Sequence, residues 1–404
     1  MHRVRGRAGG WGVALVAAVA LAACGSPTGP GGTASAGTPT TGPFAAGSPW
    51  QGTLVPVTLP APVNALTGVT CSTASACWAV GTTLGTGGQP NGAAVVGTTD
   101  GGARWSNLPI PATVAFAAAV ACSGPRQCVV VGQSQSAQAV AVTTADGGAS
   151  WSPASVPTGL GDLSAVTCQP GGSCMALGSG PAGVAALVST DGGVSWTQAG
   201  TVGAGVTGIS GVDCVGSVGC WAVGRTAAAG GHTAGVVVGT ANGGATWTVV
   251  PTPAGVGSLD GVWCGAGSAV GVGAVPAGSP VGVAGVRCTV VGTTATVSTS
   301  PRTGNGVVLT TADGGATWTD QPVPATVAQL LGVSCIGASA CLAVGNSPAA
   351  STTAGVTLAT GSPAQPWAQA VAVASPQPLA GVWCVSGSHC VAVGEAMAAH
   401  LAAG

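Results

Sequence analysis

The 404-residue sequence contains 72 glycines, 28 prolines and 46% hydrophobic residues, but only 4% charged residues and no tyrosine. A typical soluble domain is about 25% charged, disordered chains combine low hydrophobicity with high charge, and nucleic-acid-binding surfaces need clustered lysine or arginine. The high hydrophobic and low charged content therefore excludes a disordered chain. Since there is no lysine and three of the eight arginines lie in the first seven residues, the composition also excludes a nucleic-acid-binding protein.

The N-terminus has the pattern of an export signal. Three arginines precede an apolar run from Trp11 to Ala23, which is shorter than the roughly 20 apolar residues that span a bilayer. The run ends in Leu21-Ala22-Ala23-Cys24, which resembles the lipobox of bacterial lipoproteins, a family in which the signal is removed before the cysteine and the cysteine is lipidated. The resemblance implies a signal peptide over residues 1–23, a lipid anchor at Cys24 and a location outside the cytoplasm on the cell membrane. The alternative is an ordinary secretory signal that ends in a cysteine by chance.

Residues 24–44 consist almost entirely of glycine, serine, threonine, proline and alanine without hydrophobic periodicity. Such a composition is typical of a flexible linker. We therefore expect a lipidated tether over residues 24–44 and a folded domain over residues 45–404.

The folded domain repeats one unit seven times. A tryptophan precedes the first cysteine of each of seven pairs, by 17 residues in five units, and a glycine follows the second cysteine by four residues in all seven. A unit of about 46–50 residues has the length of a β-propeller blade. Six pairs are separated by five residues and one by 23. The pairs are Cys71/Cys77, Cys122/Cys128, Cys168/Cys174, Cys214/Cys220, Cys264/Cys288, Cys335/Cys341 and Cys384/Cys390.

Each unit shows valine-rich runs interrupted by glycine, proline and asparagine, which predicts four short strands. One such sheet cannot bury both faces, so seven four-stranded antiparallel blades are expected to close into an all-β ring. The chain begins with a lone fourth strand from Pro49 to Val57 and ends with a third strand from Glu395 onward. We therefore expect the N-terminal strand to complete the last blade and close the ring.

A turn motif repeats ahead of five of the tryptophans, as in TTDGGARW and TADGGATW. It resembles the Asp-box, or BNR, repeat of sialidase-like propellers, a group that includes photosystem II assembly factors. In that family the acidic residue orders the turn, so the resemblance implies structural roles for Asp100, Asp146, Asp191, Asn242 and Asp313. The segments before Trp50 and Trp367 lack the motif's acidic residue.

The cysteines could bind metal or form disulfides. Each unit offers two cysteines without a nearby histidine, whereas structural metal sites need about four ligands. An exported chain meets an oxidising environment, so we predict seven disulfides and no metal. Many connectivities remain open, but a hairpin brings the two cysteines of one unit together, which favours one disulfide within each blade.

Catalysis is not predicted. The sialidase resemblance would require an arginine triad and a tyrosine–glutamate pair, but there is no tyrosine and only one glutamate. A general glycosidase needs two carboxyl groups about 5–9 Å apart, for which Asp162 and Asp260 form the best candidate pair. We expect the acids outside the turn motifs to be capping or solvated loop residues, and no cofactor; these acids are Asp162, Asp213, Asp260, Asp320 and Glu395.

The predicted function is binding. In a propeller the turns between strands 1 and 2 and between strands 3 and 4 share one face, and the variable loops occupy the other, where binding residues are usual. The candidate binding residues on that face are Asp162, Arg225, His232, Asp260, Arg302 and Glu395. We predict a monomeric, non-enzymatic, lipid-anchored platform for an envelope or extracellular protein partner. The alternative is a glycan-binding or glycoside-acting surface protein; it is disfavoured because Trp78, Trp221, Trp263 and Trp383 are assigned to the hairpin strands.

Overall fold

The computed structural model describes residues 50, 53–85, 90–203, 205–227, 233–266, 285–294, 305–337, 340–347, 354–361, 366–369, 377–395 and 397–402. These residues form 28 strands in seven four-stranded antiparallel sheets, as the repeat predicts. The predicted signal peptide, Cys24, the predicted tether and the insertion over residues 267–284 lie outside the described residues. Within the described part, no helix has the length and apolar character needed to cross a bilayer.

The strands follow the repeat in chain order. The N-terminal strand and the first two blades contain Thr53–Thr58 (β1), Val63–Cys71 (β2), Cys77–Leu84 (β3), Pro90–Thr98 (β4), Ser106–Asn107 (β5), Phe116–Cys122 (β6), Cys128–Gln133 (β7), Ala139–Thr144 (β8) and Ser152–Pro153 (β9). Blades 3 and 4 contain Ala165–Cys168 (β10), Cys174–Gly180 (β11), Gly183–Ser189 (β12), Thr197–Thr201 (β13), Val206–Val215 (β14), Gly219–Ala227 (β15), Thr233–Thr240 (β16) and Thr248–Val250 (β17). Blades 5 to 7 contain Val256–Ala266 (β18), Val286–Thr294 (β19), Gly306–Thr311 (β20), Thr319–Gln321 (β21), Gln329–Ile336 (β22), Ala340–Asn346 (β23), Gly355–Thr360 (β24), Ala368–Gln369 (β25), Leu379–Ser386 (β26), His389–Gly394 (β27) and Met397–Ala402 (β28).

The N-terminal strand closes the ring. β1 pairs antiparallel with β28 from Thr53 opposite Ala402 to Thr58 opposite Met397, and β28 pairs with β27. Blade 7 therefore combines three strands from the C-terminus with one from the N-terminus. Trp50, just before β1, is buried, and its indole N–H donates to the Thr360 carbonyl of blade 6 at 3.0 Å. The predicted mode of closure is confirmed.

The first strands of the seven blades form the innermost layer. β2, β6, β10, β14, β18, β22 and β26 contact one another in cyclic order, so they surround the central channel. Seven apolar clusters lie between neighbouring blades, and each contains one tryptophan of the repeat. The apolar contacts between blades bury the faces that a single sheet would expose. These seven tryptophans are Trp50, Trp105, Trp151, Trp196, Trp247, Trp318 and Trp367.

All seven predicted cysteine pairs form disulfides, one in each blade. The paired cysteines lie directly opposite each other on the first and second strands, with Cα–Cα distances of 3.9 to 4.1 Å. The insertion in blade 5 does not shift this register, because the hairpin continues for two further pairs beyond the disulfide. The disulfides of blades 1 to 7 join Cys71 to Cys77, Cys122 to Cys128, Cys168 to Cys174, Cys214 to Cys220, Cys264 to Cys288, Cys335 to Cys341 and Cys384 to Cys390.

Two of the disulfide sulfur atoms, those of Cys341 and Cys390, have a polar neighbour in the structure. The Thr289 hydroxyl of blade 5 lies 3.6 Å from the Cys341 Sγ of blade 6, and the Ser386 carbonyl lies 3.6 Å from the Cys390 Sγ. A disulfide sulfur carries no proton and can only accept. Thr289 is therefore the donor to Cys341, which adds a contact between blades, whereas Cys390 makes no hydrogen bond to Ser386.

The five Asp/Asn-Gly-Gly turns share one geometry, shown by Asp191 of blade 3. Its Oδ1 accepts hydrogen bonds from the Ser189 hydroxyl at 2.6 Å and from the Ser195 backbone N–H at 3.0 Å. The hydroxyls of Ser189 and Ser195 and the Ser195 N–H lower the pKa of Asp191 to about 2. The N–H of Gly192 donates to the Gly172 carbonyl in the disulfide turn of the same blade at 2.9 Å. Both kinds of turn therefore lie on one face, which we call the disulfide face; the opposite face is the loop face.

The glycine that follows each second cysteine by four residues has a steric role. In every blade, a Cβ on this glycine would collide with a backbone carbonyl oxygen at the start of the first strand or shortly before it. In six blades the first strand has a β-bulge there. In blade 3, a Cβ on Gly178 would also lie 2.7 Å from Leu163 Cα. These seven glycines are Gly81, Gly132, Gly178, Gly224, Gly292, Gly345 and Gly394.

The fourth strands of the first two blades are very short. β5 and β9 each contain two residues, and proline occupies the last position of β9 and positions 109 and 111 after β5. Proline has no N–H to donate to a ladder and is tolerated mainly at edges. The outermost strand of each of these blades therefore ends early.

Candidate functional site

A ring of polar side chains lies at the loop-face end of the second strands. The residue directly after the repeat glycine is polar in all seven blades, although nothing in the strand pattern requires it. Three of these side chains, Ser179, Arg225 and Glu395, are exposed, and the others are half-buried. The full ring is Thr82, Gln133, Ser179, Arg225, Thr293, Asn346 and Glu395.

A second ring faces it from the first strands, or from the residues directly before them. Its members supply the carbonyl oxygens that a Cβ on each repeat glycine would meet, so they occupy equivalent positions. Their side chains nevertheless differ in charge and size from blade to blade. Phe116 is 49% exposed at this position, which is unusual for a large apolar side chain. The ring contains Ala65, Phe116, Asp162, Gly208, Ser258, Gln329 and Pro378. We call the two rings together the loop-face rim.

Asp260 brings residues of three blades together at this rim. It is the bulge residue of β18, and a bulge can redirect a side chain. Its Oδ2 accepts hydrogen bonds from the Ser258 hydroxyl at 3.0 Å and from the Gln329 side-chain N–H of blade 6 at 3.3 Å. Burial raises the pKa of Asp260, while the hydrogen bonds from Gln329 and Ser258 and the Arg225 guanidinium of blade 4 oppose the increase. We call Arg225, Ser258, Asp260 and Gln329 the rim cluster.

Asp162 has a different environment. Its Oδ1 accepts hydrogen bonds from the backbone N–H of Ser179, at 2.9 Å, and from the Ser179 hydroxyl. The carboxylate thus ties the segment before β10 to the end of β11. Among the described residues, no hydrogen bond joins Asp162 to Asp260; each carboxylate is held by donors of its own surroundings.

The structure places four of the six candidate binding residues at the loop-face rim. Arg225 and Glu395 belong to the second-strand ring, Asp162 belongs to the first-strand ring, and Asp260 lies beside it. Among these four described candidates, Arg225 and Asp260 are the pair that the structure brings together electrostatically. The other two candidates, His232 and Arg302, lie outside the described residues.

Asp213 is not the capping or solvated loop residue that the sequence predicts. It lies on innermost strand β14, directly before Cys214, at the disulfide-face end. Its Oδ1 accepts from the Cys214 N–H at 2.9 Å and from the Thr167 hydroxyl of blade 3 at 3.3 Å, and its Oδ2 accepts from the Cys264 N–H of blade 5 at 2.7 Å. Burial nevertheless raises the pKa of Asp213 to about 6. Asp213 therefore links three blades, a contact that no single repeat reveals.

The raised pKa of Asp213 predicts a pH-dependent stability. An aspartate in the unfolded chain titrates near pH 3.9, so between about pH 4 and 6 the folded state retains a proton that the unfolded state has released, and stability falls as pH rises. For a folded pKa of about 6, this loss between pH 4.5 and 7.5 is about 2 kcal/mol. We expect Asp213→Asn to remove it, as measured by urea unfolding at both pH values.

Two observations make that comparison specific. Asp191 has a lowered pKa of about 2, so its stabilisation is lost below about pH 4, outside the measured window. Asp260 keeps its raised pKa in the Asp213→Asn variant, so a smaller decrease in stability with rising pH remains. An unchanged difference between pH 4.5 and 7.5 would contradict the assignment to Asp213.

The four tryptophans assigned to the hairpins differ in exposure. Trp78 and Trp221 are buried between blades, but Trp383 is 37% exposed. Trp383 occupies the same repeat position as Asp213, at the disulfide-face end of an innermost strand, where no further strand of the described chain covers it. Trp383 thus lies on a hairpin strand, as the sequence predicts, and its ring is nevertheless partly exposed.

No group of three or more histidine, cysteine or acidic side chains in the described part of the chain is arranged to hold a metal ion. The fourteen cysteines of the repeat form disulfides.

Comparison with known proteins identifies the fold. No protein-family model matches the chain, and no curated protein matches it by sequence. Among solved structures, YCF48 bound to a D1 peptide shares 15% identity over 88% of this chain and 99% of its own, with a TM-score of 0.58. YCF48 from Cyanidioschyzon merolae shares 15% identity over 87% of this chain and 98% of its own, with a TM-score of 0.55. The GH74 xyloglucanase from Xanthomonas campestris shares 15% identity over 86% of this chain but only 53% of its own, with a TM-score of 0.56. The chain is therefore a β-propeller similar to a peptide-bound protein and to a glycoside hydrolase alike.

Proposed function

We propose that this protein is a non-enzymatic platform that binds a protein partner through the loop-face rim, while a lipid anchor at Cys24 holds it on the outer side of the cell membrane. The observation that carries the proposal is the rim cluster. Arg225, Asp260 and Gln329 come from three blades and lie together at the loop-face rim, which also carries the exposed ring of Phe116.

The rim has the chemistry of a peptide-binding surface. Positions that are alike in all blades, such as the cysteines and the repeat glycines, have structural roles, whereas the rim positions differ in charge, size and polarity. An aromatic ring, a cation, a partly buried acid and an amide give apolar contacts together with donors and acceptors for a polypeptide. Binding residues of this kind are usual on the variable face of a rigid scaffold. The peptide bound by the similar protein YCF48 supports this reading.

The carboxyl groups support binding over hydrolysis. A glycosidase needs one carboxyl as a proton donor and a second as a nucleophile or base across the scissile bond. Asp162 is engaged by Ser179, and Asp260 is engaged by Ser258 and Gln329. Each carboxylate is therefore held by donors of its own surroundings, which gives both a structural role.

The seven disulfides indicate an oxidising environment outside the cytoplasm. Together with the arginine-rich, apolar N-terminus, this supports export and, in our proposal, anchoring through Cys24.

The test is a crosslinking pull-down from intact membranes that carry the full-length protein. We expect Arg225→Ala and Phe116→Ser each to reduce the recovered partner several-fold, because each removes one contact type from the rim. Matched control variants on the disulfide face are Arg126→Ala and Val385→Ser; Val385 is 43% exposed. Equal losses for rim and control variants, or no loss for either, would contradict the rim as the binding surface.

A further arm tests the anchor. Cys24→Ala should release the protein from the membrane fraction without changing its folding, since stable anchoring depends on the acyl chains. Retention of the variant in sedimented membranes would contradict lipidation at Cys24.

The second candidate function is glycan binding, which the exposure of Trp383 favours, because sugars stack on accessible aromatic rings. A glycan array distinguishes the two functions. Binding that Trp383→Ala abolishes and Phe116→Ser preserves would favour a glycan ligand on the disulfide face.

A further inference from the structure

The residue directly after the second cysteine has an equivalent place in every blade, on the second strand. Where the next blade has an Asp/Asn-Gly-Gly turn, this residue meets the second glycine of that turn. A Cβ on Gly148 would lie 3.3 Å from Trp78 Nε1, and one on Gly244 would lie 3.0 Å from Met175 Cε. We call this the slot position. Its residues in blades 1 to 7 are Trp78, Val129, Met175, Trp221, Thr289, Leu342 and Val391.

Two slots are filled by indole rings in the same way. The Trp78 N–H donates to the Gly147 carbonyl of blade 2 at 2.9 Å, and the Trp221 N–H donates to the Gly314 carbonyl of blade 5 at 3.0 Å. Gly147 and Gly314 are the first glycines of their turns. Both indoles also pack against cysteines of the next blade's disulfide. The repeat thus contains a slot that fits an indole and supplies an acceptor for its N–H.

The slot between blades 3 and 4 contains Met175 instead, and a cavity of about 180 Å³ remains beside it. The cavity opens on the disulfide face. Its walls include Cys214, Cys220 and Gly243 of blade 4, which are the counterparts of the disulfide and of the first glycine that surround the indole in the filled slots. Met175 and Val188 supply further apolar wall on the blade 3 side.

The size and lining suit one aromatic ring. An engineered apolar cavity of about 150 Å³ binds benzene, so a cavity of about 180 Å³ accommodates a ring of that kind. Hydroxyl and amide groups of Thr167, Gln169 and Ser217 lie at the same cavity, and these suit the polar atoms next to a ring. Among the described residues that form its walls, none is acidic or basic, which favours a neutral group.

We infer that the cavity between blades 3 and 4 binds a tryptophan side chain of a partner protein, whose indole lies beside Met175, against the Cys214–Cys220 disulfide, and donates its N–H to the Gly243 carbonyl. That the indole comes from a protein rests on the proposed function, but this cavity is a second contact on the disulfide face, separate from the loop-face rim. The control positions Arg126 and Val385 belong to blades 2 and 7 and are not among its walls. The inference that the cavity fits an indole depends only on the comparison between blades. An aromatic side chain that fills a pocket is a common anchor of protein interfaces.

The two described methionines make the test direct. The sequence contains three methionines; Met175 lines the cavity, and Met397 lies in blade 7, away from it. We expect titration of the methyl-¹³C-methionine protein with N-acetyl-L-tryptophanamide or 3-methylindole to shift the Met175 methyl resonance through the ring current, and to leave that of Met397 in place. Absence of a shift at the solubility limit, or equal shifts of both methyls, would overturn the inference.

Matched variants locate the site. Met175→Trp should fill the slot as Trp78 does, so saturation-transfer signals from bound 3-methylindole should fall at least about tenfold. Trp78→Met should open the corresponding slot between blades 1 and 2, and its new methyl resonance should respond to the same ligand. Unchanged ligand signals with Met175→Trp would contradict the site even if Trp78→Met failed to fold.

A chemical control tests the hydrogen bond. 1,3-Dimethylindole lacks the N–H, and a neutral hydrogen bond contributes about 0.5–1.5 kcal/mol, so it should bind about two- to thirteenfold more weakly than 3-methylindole. Equal affinities would contradict the role of the Gly243 carbonyl. The two proposals can fail independently. If the rim variants Arg225→Ala and Phe116→Ser bind 3-methylindole like the parent protein, the indole site does not depend on the rim, whatever their effect on partner capture.

Discussion

A chain that begins at Leu59, and therefore lacks Trp50 and β1, is expected to aggregate and to melt far below one that begins at Ala45. Removing β1 leaves β28 without its six paired residues, and an exposed strand edge is a template for pairing with other chains. It also removes buried Trp50 and Leu54 from the cluster between blades 6 and 7. Truncation of a buried tryptophan alone costs about 3–5 kcal/mol.

Controls separate closure from packing. Trp50→Ala and Trp367→Ala each remove a buried tryptophan from the same repeat position, but neither removes a strand, so both should lose similar stability and stay monomeric. A synthetic peptide covering residues 45–58, added to the shortened chain, should bind β28 and raise the melting temperature. Equal melting of the chains that begin at Ala45 and at Leu59, with all disulfides formed, would contradict closure by β1.

The sequence alone was sufficient to predict the features that recur in every blade and the closure of the ring. Disulfides, tryptophans and Gly-Gly turns recur at fixed spacing, so seven copies reinforce one another, and the surplus strand at each end of the chain indicates how the ring closes. The disulfide pairs followed from hairpin geometry, because residues of one hairpin lie close together in sequence and in space. Within the described residues, these predictions agree with the structure.

Contacts between blades could not be predicted in the same way. Asp213 accepts a hydrogen bond from Cys264, 51 residues further along the chain, and Asp260 accepts one from Gln329, 69 residues further. Such pairs depend on how neighbouring sheets are rotated, which a strand pattern does not encode. A signal was nevertheless present. Aligning the seven units shows that Asp213 and Trp383 share one position and that the residue after each repeat glycine is polar, which marks the rim.

Substitution of a repeat glycine is expected to be among the most damaging single changes in the protein. A Cβ on Gly178 would meet the Asp162 carbonyl and lie 2.7 Å from Leu163 Cα, so the obstacle is backbone and not the end of a flexible side chain. That backbone is held in place, because buried Leu163 donates its N–H to the Gly132 carbonyl of blade 2 at 3.1 Å. Overpacking usually costs about 1–3 kcal/mol and more where the neighbour cannot move. We therefore expect Gly178→Ala to lower the free energy of unfolding by at least about 3 kcal/mol.

The loss of stability depends on where the glycine lies in the fold. A control glycine at which alanine should stabilise the protein can show this. A Cβ on Gly203 would have its nearest neighbour at 3.8 Å, and replacing glycine by alanine at a compatible site stabilises a protein by about 0.4–1 kcal/mol because the unfolded chain loses freedom. Urea unfolding of Gly178→Ala and Gly203→Ala should thus move in opposite directions from the parent protein. If Gly178→Ala were neutral, the segment before β10 would have to shift to admit a methyl group, and the recurrence of glycine at this position in all seven blades would have no steric cause. Because Asp162 belongs to the rim, such a shift would also alter the spacing of its side chain from Ser179. The same variant therefore links the packing beside the innermost strand to the geometry of the proposed binding surface.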